Sequence, residues 1–85
     1  MAERRMFAKS VLLLGVFPEL SRTAQVLYIL LNMQADDDGL VGNTAPVLRM
    51  VRCTRRHLQE LIRAGLLLEF PGGPVVITHW LIHNQ

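Results

Sequence analysis

Apolar residues crowd the segment from Ala24 to Met33 so densely that a helix drawn through it has almost no polar side. At about 100° per residue, Ala24, Leu27, Tyr28 and Leu31 share one face, while Val26, Ile29, Leu30 and Met33 occupy the other. A helix that is apolar nearly all round is expected to be buried nearly all round. Pro18-Glu-Leu-Ser21 supplies its start, with Ser21 as N-cap, and the pattern runs to about Gln34. The following helices would cover one side. The other side calls for an N-terminal arm or a second subunit, and the small size of the chain favours the arm.

Asp36-Asp-Asp-Gly39 ends this helix, with Gly39 free to adopt positive φ. Three consecutive carboxylates lack the alternating ligands and distal Glu of a calcium loop, so a solvated turn is expected. Leu40-Val41 can form a brief strand, and Gly42-Asn-Thr-Ala-Pro46 opens a second helix that buries Val47, Leu48 and Val51. After a turn at Arg52-Cys53, Thr54 caps a third helix. Its Leu58, Leu61, Ile62 and Gly65 are expected to face inward, and Arg56, Gln59, Glu60 and Arg63 outward.

Beyond Gly65 the periodicity changes. Leu66 to Phe70 and Val75 to His79 read as two strands around the turn Pro71-Gly-Gly-Pro74. Residues 6 to 14 hold apolar residues around Lys9 and Ser10, enough for an N-terminal strand or extended arm. Three helices followed by a hairpin define the expected class: α+β, mainly α, a winged helix-turn-helix occupying residues 1–85 as one domain.

Composition agrees with one globular unit, since 51% of the 85 residues are hydrophobic and 19% are charged. The net charge of +2 hides an asymmetry. Between Leu40 and Leu68 there are five arginines and one glutamate, a local charge of +4, whereas the remainder carries −2. A basic segment of this kind suits a polyanion, although a solvated helix face would look the same by charge alone.

Cys53 is the only cysteine, which excludes an intramolecular disulfide and a thiolate metal cage and is consistent with a reducing cytoplasm. Lys9-Ser10 followed by Val11 to Phe17 imitates a signal peptide, but the apolar run is short and closes on Pro18-Glu19. No stretch approaches the ~20 apolar residues of a membrane span. Nor is there a nucleophile with a partnered base or a glycine-rich phosphate loop, so neither catalysis nor a cofactor is expected. His79 and His83 alone do not make a structural zinc site, and Trp80 is expected to plug the core beneath the hairpin rather than stack on a base.

Local strings narrow the picture. Arg5-Met-Phe-Ala-Lys-Ser10, Ser21-Arg-Thr-Ala-Gln-Val-Leu-Tyr28, Ala35-Asp-Asp-Asp-Gly39 and Val76-Ile-Thr-His-Trp80-Leu-Ile-His83-Asn84 occur in this order along nearly the whole chain. Together they resemble the N-terminal domain of phage replisome organisers, the DnaD-like replication initiation proteins. That resemblance implies a winged helix recognising a replication origin in the host cytoplasm, with a separate C-terminal region recruiting helicase-loading proteins.

A recognition helix presents its exposed N-terminal half to base edges. Arg56 can bond guanine bidentately and Gln59 adenine, which makes these the base-reading candidates. Arg49, Arg52, Arg55 and Arg63 suit phosphates, as do Thr54 and the adjoining helix N-terminus. His57 and the backbone amides of Gly72 and Gly73 could also reach the nucleic acid. Glu60 is expected to hold Arg56 and Arg63 through helical spacing. With no Lys or Arg after Arg63, the wing suits packing or protein contact equally well, and tight binding would call for a homodimer or a further region. The alternatives are a protein-interaction winged helix and a transcriptional regulator using the same groove chemistry.

Overall fold

The structure, a computed structural model, describes residues 4–85. In chain order the elements are α1 (Lys9–Leu12), a single 3-10 turn (Phe17–Glu19), α2 (Arg22–Gln34), β1 (Leu40–Val41), α3 (Ala45–Val51), α4 (Arg55–Arg63), β2 (Leu67–Glu69), β3 (Val75–Ile77) and α5 (Trp80–His83). They form an α+β domain with one three-stranded antiparallel sheet ordered β1-β3-β2. Leu40 and Leu68 both pair with Val76, from opposite sides of the central strand.

α2 is the hub of the core, packing against both α3 and α4. Ser21 caps it, with its Oγ accepting from the Ala24 N–H at 3.1 Å. Ala24, Leu27, Tyr28 and Leu31 are fully buried and meet Val47 of α3, Leu58 and Leu61 of α4 and the inner sheet residues Val41, Leu67, Val75 and Ile77 in one cluster. The opposite side of α2 is covered less than its apolar character implied. Ile29 and Leu30 are half-buried against the core, but Val26 and Met33 remain about half exposed.

Of the strand or extended arm expected over residues 6–14, no strand forms, and Lys9–Leu12 is the short helix α1. Ala8 is extended but pairs with no strand; its N–H donates instead to His83 Nδ1 at 2.9 Å. The Ala8 carbonyl then accepts from the Val11 and Leu12 amides and starts the helical turn. Gly65, expected inside α4, lies beyond it at φ 80° as an exposed turn residue that lets the Leu66 N–H return to the Leu61 carbonyl.

The C-terminal end closes the opposite side of the core. Trp80 is buried against the aspartate turn, donating from Nε1 to the Asp37 carbonyl at 3.0 Å, with the Arg5 guanidinium 5.0 Å from its ring. Asp36 holds that turn by accepting from the Asp38 and Leu40 amides, and these bonds keep its carboxyl below the ordinary 3.8. The turn is therefore a self-capped loop.

His83 is buried between the N-terminal segment and α2. Because Nδ1 accepts from the Ala8 N–H, the neutral ring carries its proton on Nε2 and donates it to Tyr28 Oη, 2.7 Å away. Burial pushes the Tyr28 hydroxyl up to about 12. It also lowers His83 below 6.5, assisted by the charge of His79.

Candidate nucleic-acid interface

α3 and α4 are joined by the three residues Arg52, Cys53 and Thr54, a turn whose geometry rests on Arg52. α3 begins with Pro46 in its first turn and the Asn43 side chain accepting from the Ala45 N–H. It ends where Arg52 takes φ 60° and ψ 46°, the left-handed region. Arg52 is the only non-glycine residue with positive φ among those described. This twist lets the Cys53 N–H reach the Leu48 carbonyl at 3.0 Å and turns the chain into Thr54. Thr54 and His57 then close a capping box, with the Thr54 N–H donating to His57 Nδ1 at 3.3 Å. His57 is thus employed in starting α4, and its half-buried position suits this role better than a contact with DNA.

Around α4 the side chains divide into three groups. Leu58 and Leu61 enter the core. Arg56, Gln59 and Arg63 are exposed on one stripe and form no side-chain hydrogen bond or ion pair among the described residues. Glu60 and Arg55 lie at the two edges of that stripe, each tied to another element.

Glu60 does not hold Arg56 or Arg63, contrary to expectation. Its Oε2 accepts from the Ser21 N–H and its Oε1 from the Ser21 hydroxyl, both at 2.8 Å. These two bonds, backbone donor first, hold its carboxyl below the ordinary 4.5. They win because the N-terminus of α2 offers fixed donors and the positive end of a helix dipole, whereas an exposed arginine pair is worth only ~0–1 kcal/mol.

At the other edge Arg55 Nη2 lies 2.7 Å from Glu69 Oε1 of β2. This contact raises the guanidinium pKa above its ordinary value and lowers the Glu69 carboxyl below 4.5. Arg55 therefore fastens α4 to the hairpin and is less free for a phosphate than Arg49, Arg52 or Arg63, which are exposed and outside any ion pair among the described residues.

The hairpin turn contributes little to a charged site. Gly72 and Gly73 sit at φ 93° and 110°, and the Gly73 N–H is already donated to the Phe70 carbonyl at 3.1 Å. Of the two amides proposed for phosphate contact, only that of Gly72 is left outside the hairpin's backbone bonds. Leu68 and Phe70 are exposed beside the turn.

Cys53 is half-buried, and burial raises its thiol above the ordinary value, so the sulfur stays protonated at neutral pH. Among the described residues no three His, Cys, Asp or Glu side chains gather where a metal could bind, and no helix is long and apolar enough to cross a membrane.

Residue pattern identified α4 and its exposed stripe, but the Glu60–Ser21 and Arg55–Glu69 contacts join residues 39 and 14 positions apart. No local spacing signals them. The chain matches no protein-family model, no curated protein and no solved structure.

Proposed function

We propose that this domain binds double-stranded DNA as a winged helix-turn-helix, with α4 in the major groove and the β2–β3 hairpin as the wing. The observation that carries this reading is the stripe of Arg56, Gln59 and Arg63, free of internal partners on a helix fastened at both edges. A helix fixed to its scaffold can present bidentate donors without losing much orientational freedom on binding. Arg56 and Gln59 are the base readers; Arg49, Arg52 and Arg63 contact phosphates, and Thr54 lies where the start of α4 would approach the backbone. By its resemblance to phage replisome organisers, the target is a replication origin, with helicase-loading proteins engaged through another region.

One feature favours a second reading, a protein-interaction domain. The hairpin carries no Lys or Arg and exposes Leu68 and Phe70. Fluorescence anisotropy with random duplexes and with duplexes from the chain's own replication locus, at rising salt, separates the two. DNA binding requires a preference for one duplex that Arg56→Ala abolishes. Absence of binding to every duplex at low salt would reject it and leave the hairpin surface as the working part.

A further inference from the structure

His83 is held from two sides by hydrogen bonds of opposite sense. On one side the Ala8 N–H donates to Nδ1 at 2.9 Å, and on the other the Nε2–H donates to Tyr28 Oη at 2.7 Å. The ring is 2% exposed, and the Phe7 ring meets it edge-on with centroids 5.4 Å apart. The segment from Arg5 to Ala8 thus lies against it as a strap. Further polar ties of that strap are the Met6 N–H, donated to Asn84 Oδ1 at 3.3 Å, and the Arg5 guanidinium, which donates to the Ala35 carbonyl at 2.8 Å and lies over the Trp80 ring.

A proton added at Nδ1 acts differently on the two sides. Two N–H donors would face each other across the Ala8 contact, whereas the bond to Tyr28 would become charge-assisted and stronger. The ring therefore stays on α2, and the strap is the part that gives way. Nothing on the surrounding elements offsets the new charge. Their charged residues are Arg4, Arg5 and Lys9 on the N-terminal segment and α1, Arg22 on α2 and, when protonated, His79 beside α5; the Tyr28 hydroxyl, at about 12, stays neutral. No Asp or Glu occurs on these elements among the described residues, and none pairs with His83; Asp37 of the neighbouring turn lies 3.9 Å from Arg5. Arg5 itself favours departure. Its side chain is 6% exposed and its Nε has no hydrogen-bond partner among the described residues, so release returns a poorly compensated cation to water.

We infer that residues 5–8 form a proton-released strap, docked on α5 and the end of α2 while His83 is neutral and freed when Nδ1 takes a proton, with the rest of the domain still folded. The docked form holds His83 below 6.5, so docking is complete above 6.5 and is lost as pH falls through the lowered value. Between the two, each pH unit shifts the ratio of docked to free strap by at most about tenfold, the limit for one proton.

Nuclear magnetic resonance follows both parts in one sample, titrated from about pH 8 down to the acid unfolding of the domain. The ring shifts of His83 report its protonation, and heteronuclear NOE values at the Met6, Phe7 and Ala8 amides report the order of the strap. These amides are expected to lose order with the same midpoint as the His83 ring, while those of α2 and the β2–β3 hairpin keep theirs. The Trp80 indole N–H resonance should shift in step as Arg5 leaves the ring. His83→Asn, whose side-chain oxygen can accept from the Ala8 N–H without titrating, should keep the strap ordered through the same range.

Order that persists at residues 6–8 through complete protonation of His83 overturns the inference. So does a strap midpoint that departs from that of the ring, or a ring that protonates only as α2 and the hairpin unfold. Release in His83→Asn at the wild-type pH shows that another group is the sensor and overturns it as well. Should that variant not fold, the three wild-type outcomes decide by themselves.

Discussion

Replacing Arg52 with glycine should make the domain more stable and bind DNA less well. Arg52 caps α3 at φ 60° and ψ 46°, a conformation that costs a residue bearing a Cβ about 1–2 kcal/mol. Glycine escapes that cost but loses about 0.5–1 kcal/mol through the greater freedom of its unfolded chain. The net stabilisation of Arg52→Gly therefore lies between about 0 and 1.5 kcal/mol, with a central value of about 0.75 kcal/mol, which for a domain of this size raises the thermal midpoint by about 3–6 °C. The exposed guanidinium makes no hydrogen bond or ion pair among the described residues that would offset this gain.

Binding should move in the opposite direction. If Arg52 contacts a phosphate as proposed, its removal lowers the slope of log affinity against log salt by about 0.9, with the same loss for every duplex. Arg52→Asn is the companion variant, since asparagine tolerates the left-handed region without carrying a charge. Thermal unfolding followed by circular dichroism and anisotropy titration read the two effects separately. A lower midpoint in Arg52→Gly would refute the attribution of strain to this turn. An unchanged slope in both variants would refute the phosphate contact and leave a strained arginine with no function to explain it.

Three other perturbations examine other parts of the structure. Gly39→Ala places a Cβ 2.6 Å from Trp80 Cγ at φ 82°, combining left-handed strain with overpacking for a loss of about 2–4 kcal/mol; a wild-type midpoint in urea, read from Trp80 fluorescence, would contradict this. His83 has its folded pKa lowered below 6.5, so the unfolded chain takes up its proton first. Its stabilisation is complete above 6.5 and is lost as pH falls toward the lowered value, a drop that His83→Asn should flatten in thermal melts and that Asp36, Glu60 and Glu69 do not confuse, because they titrate below 4.5. Glu69→Gln releases Arg55 and should steepen the salt slope by about 0.9, whereas an unchanged slope would show that Arg55 lies beyond reach of the backbone.

The longer elements were legible because pattern and punctuation coincide in them. Arg22–Gln34 has an N-cap at Ser21 and apolar residues at helical spacing, and the β2–β3 hairpin has two apolar runs around Pro71-Gly-Gly-Pro74. α1 and α5, of four residues each, have no such pattern. They exist through contacts between residues far apart in sequence: Ala8 with His83, Trp80 with Gly39 and Asp37. An apolar segment without a strand partner becomes helical when its first carbonyls find donors in its own next turn, and nothing in residues 6 to 14 reveals whether a partner will be present.

The site divides along the same line. Charge and periodicity single out Arg56, Gln59, Glu60 and Arg63 as one polar face and Arg55 as a further cation near it, but they cannot say which charges hold the helix and which remain for a partner. A residue that pins α4 to its neighbours and one that contacts a phosphate are chemically the same at the level of sequence. Only tertiary structure separates them, by giving Glu60 the donors of Ser21 and Arg55 the carboxylate of Glu69. The charges so occupied lie at the edges of the face and the unoccupied ones along its centre. Cross-links at the rim keep a short helix from rocking while its middle remains accessible, as a helix inserted in a groove requires. A solvated surface face has no need of that order, since exposed pairs formed at random would as readily have consumed Arg56 or Arg63.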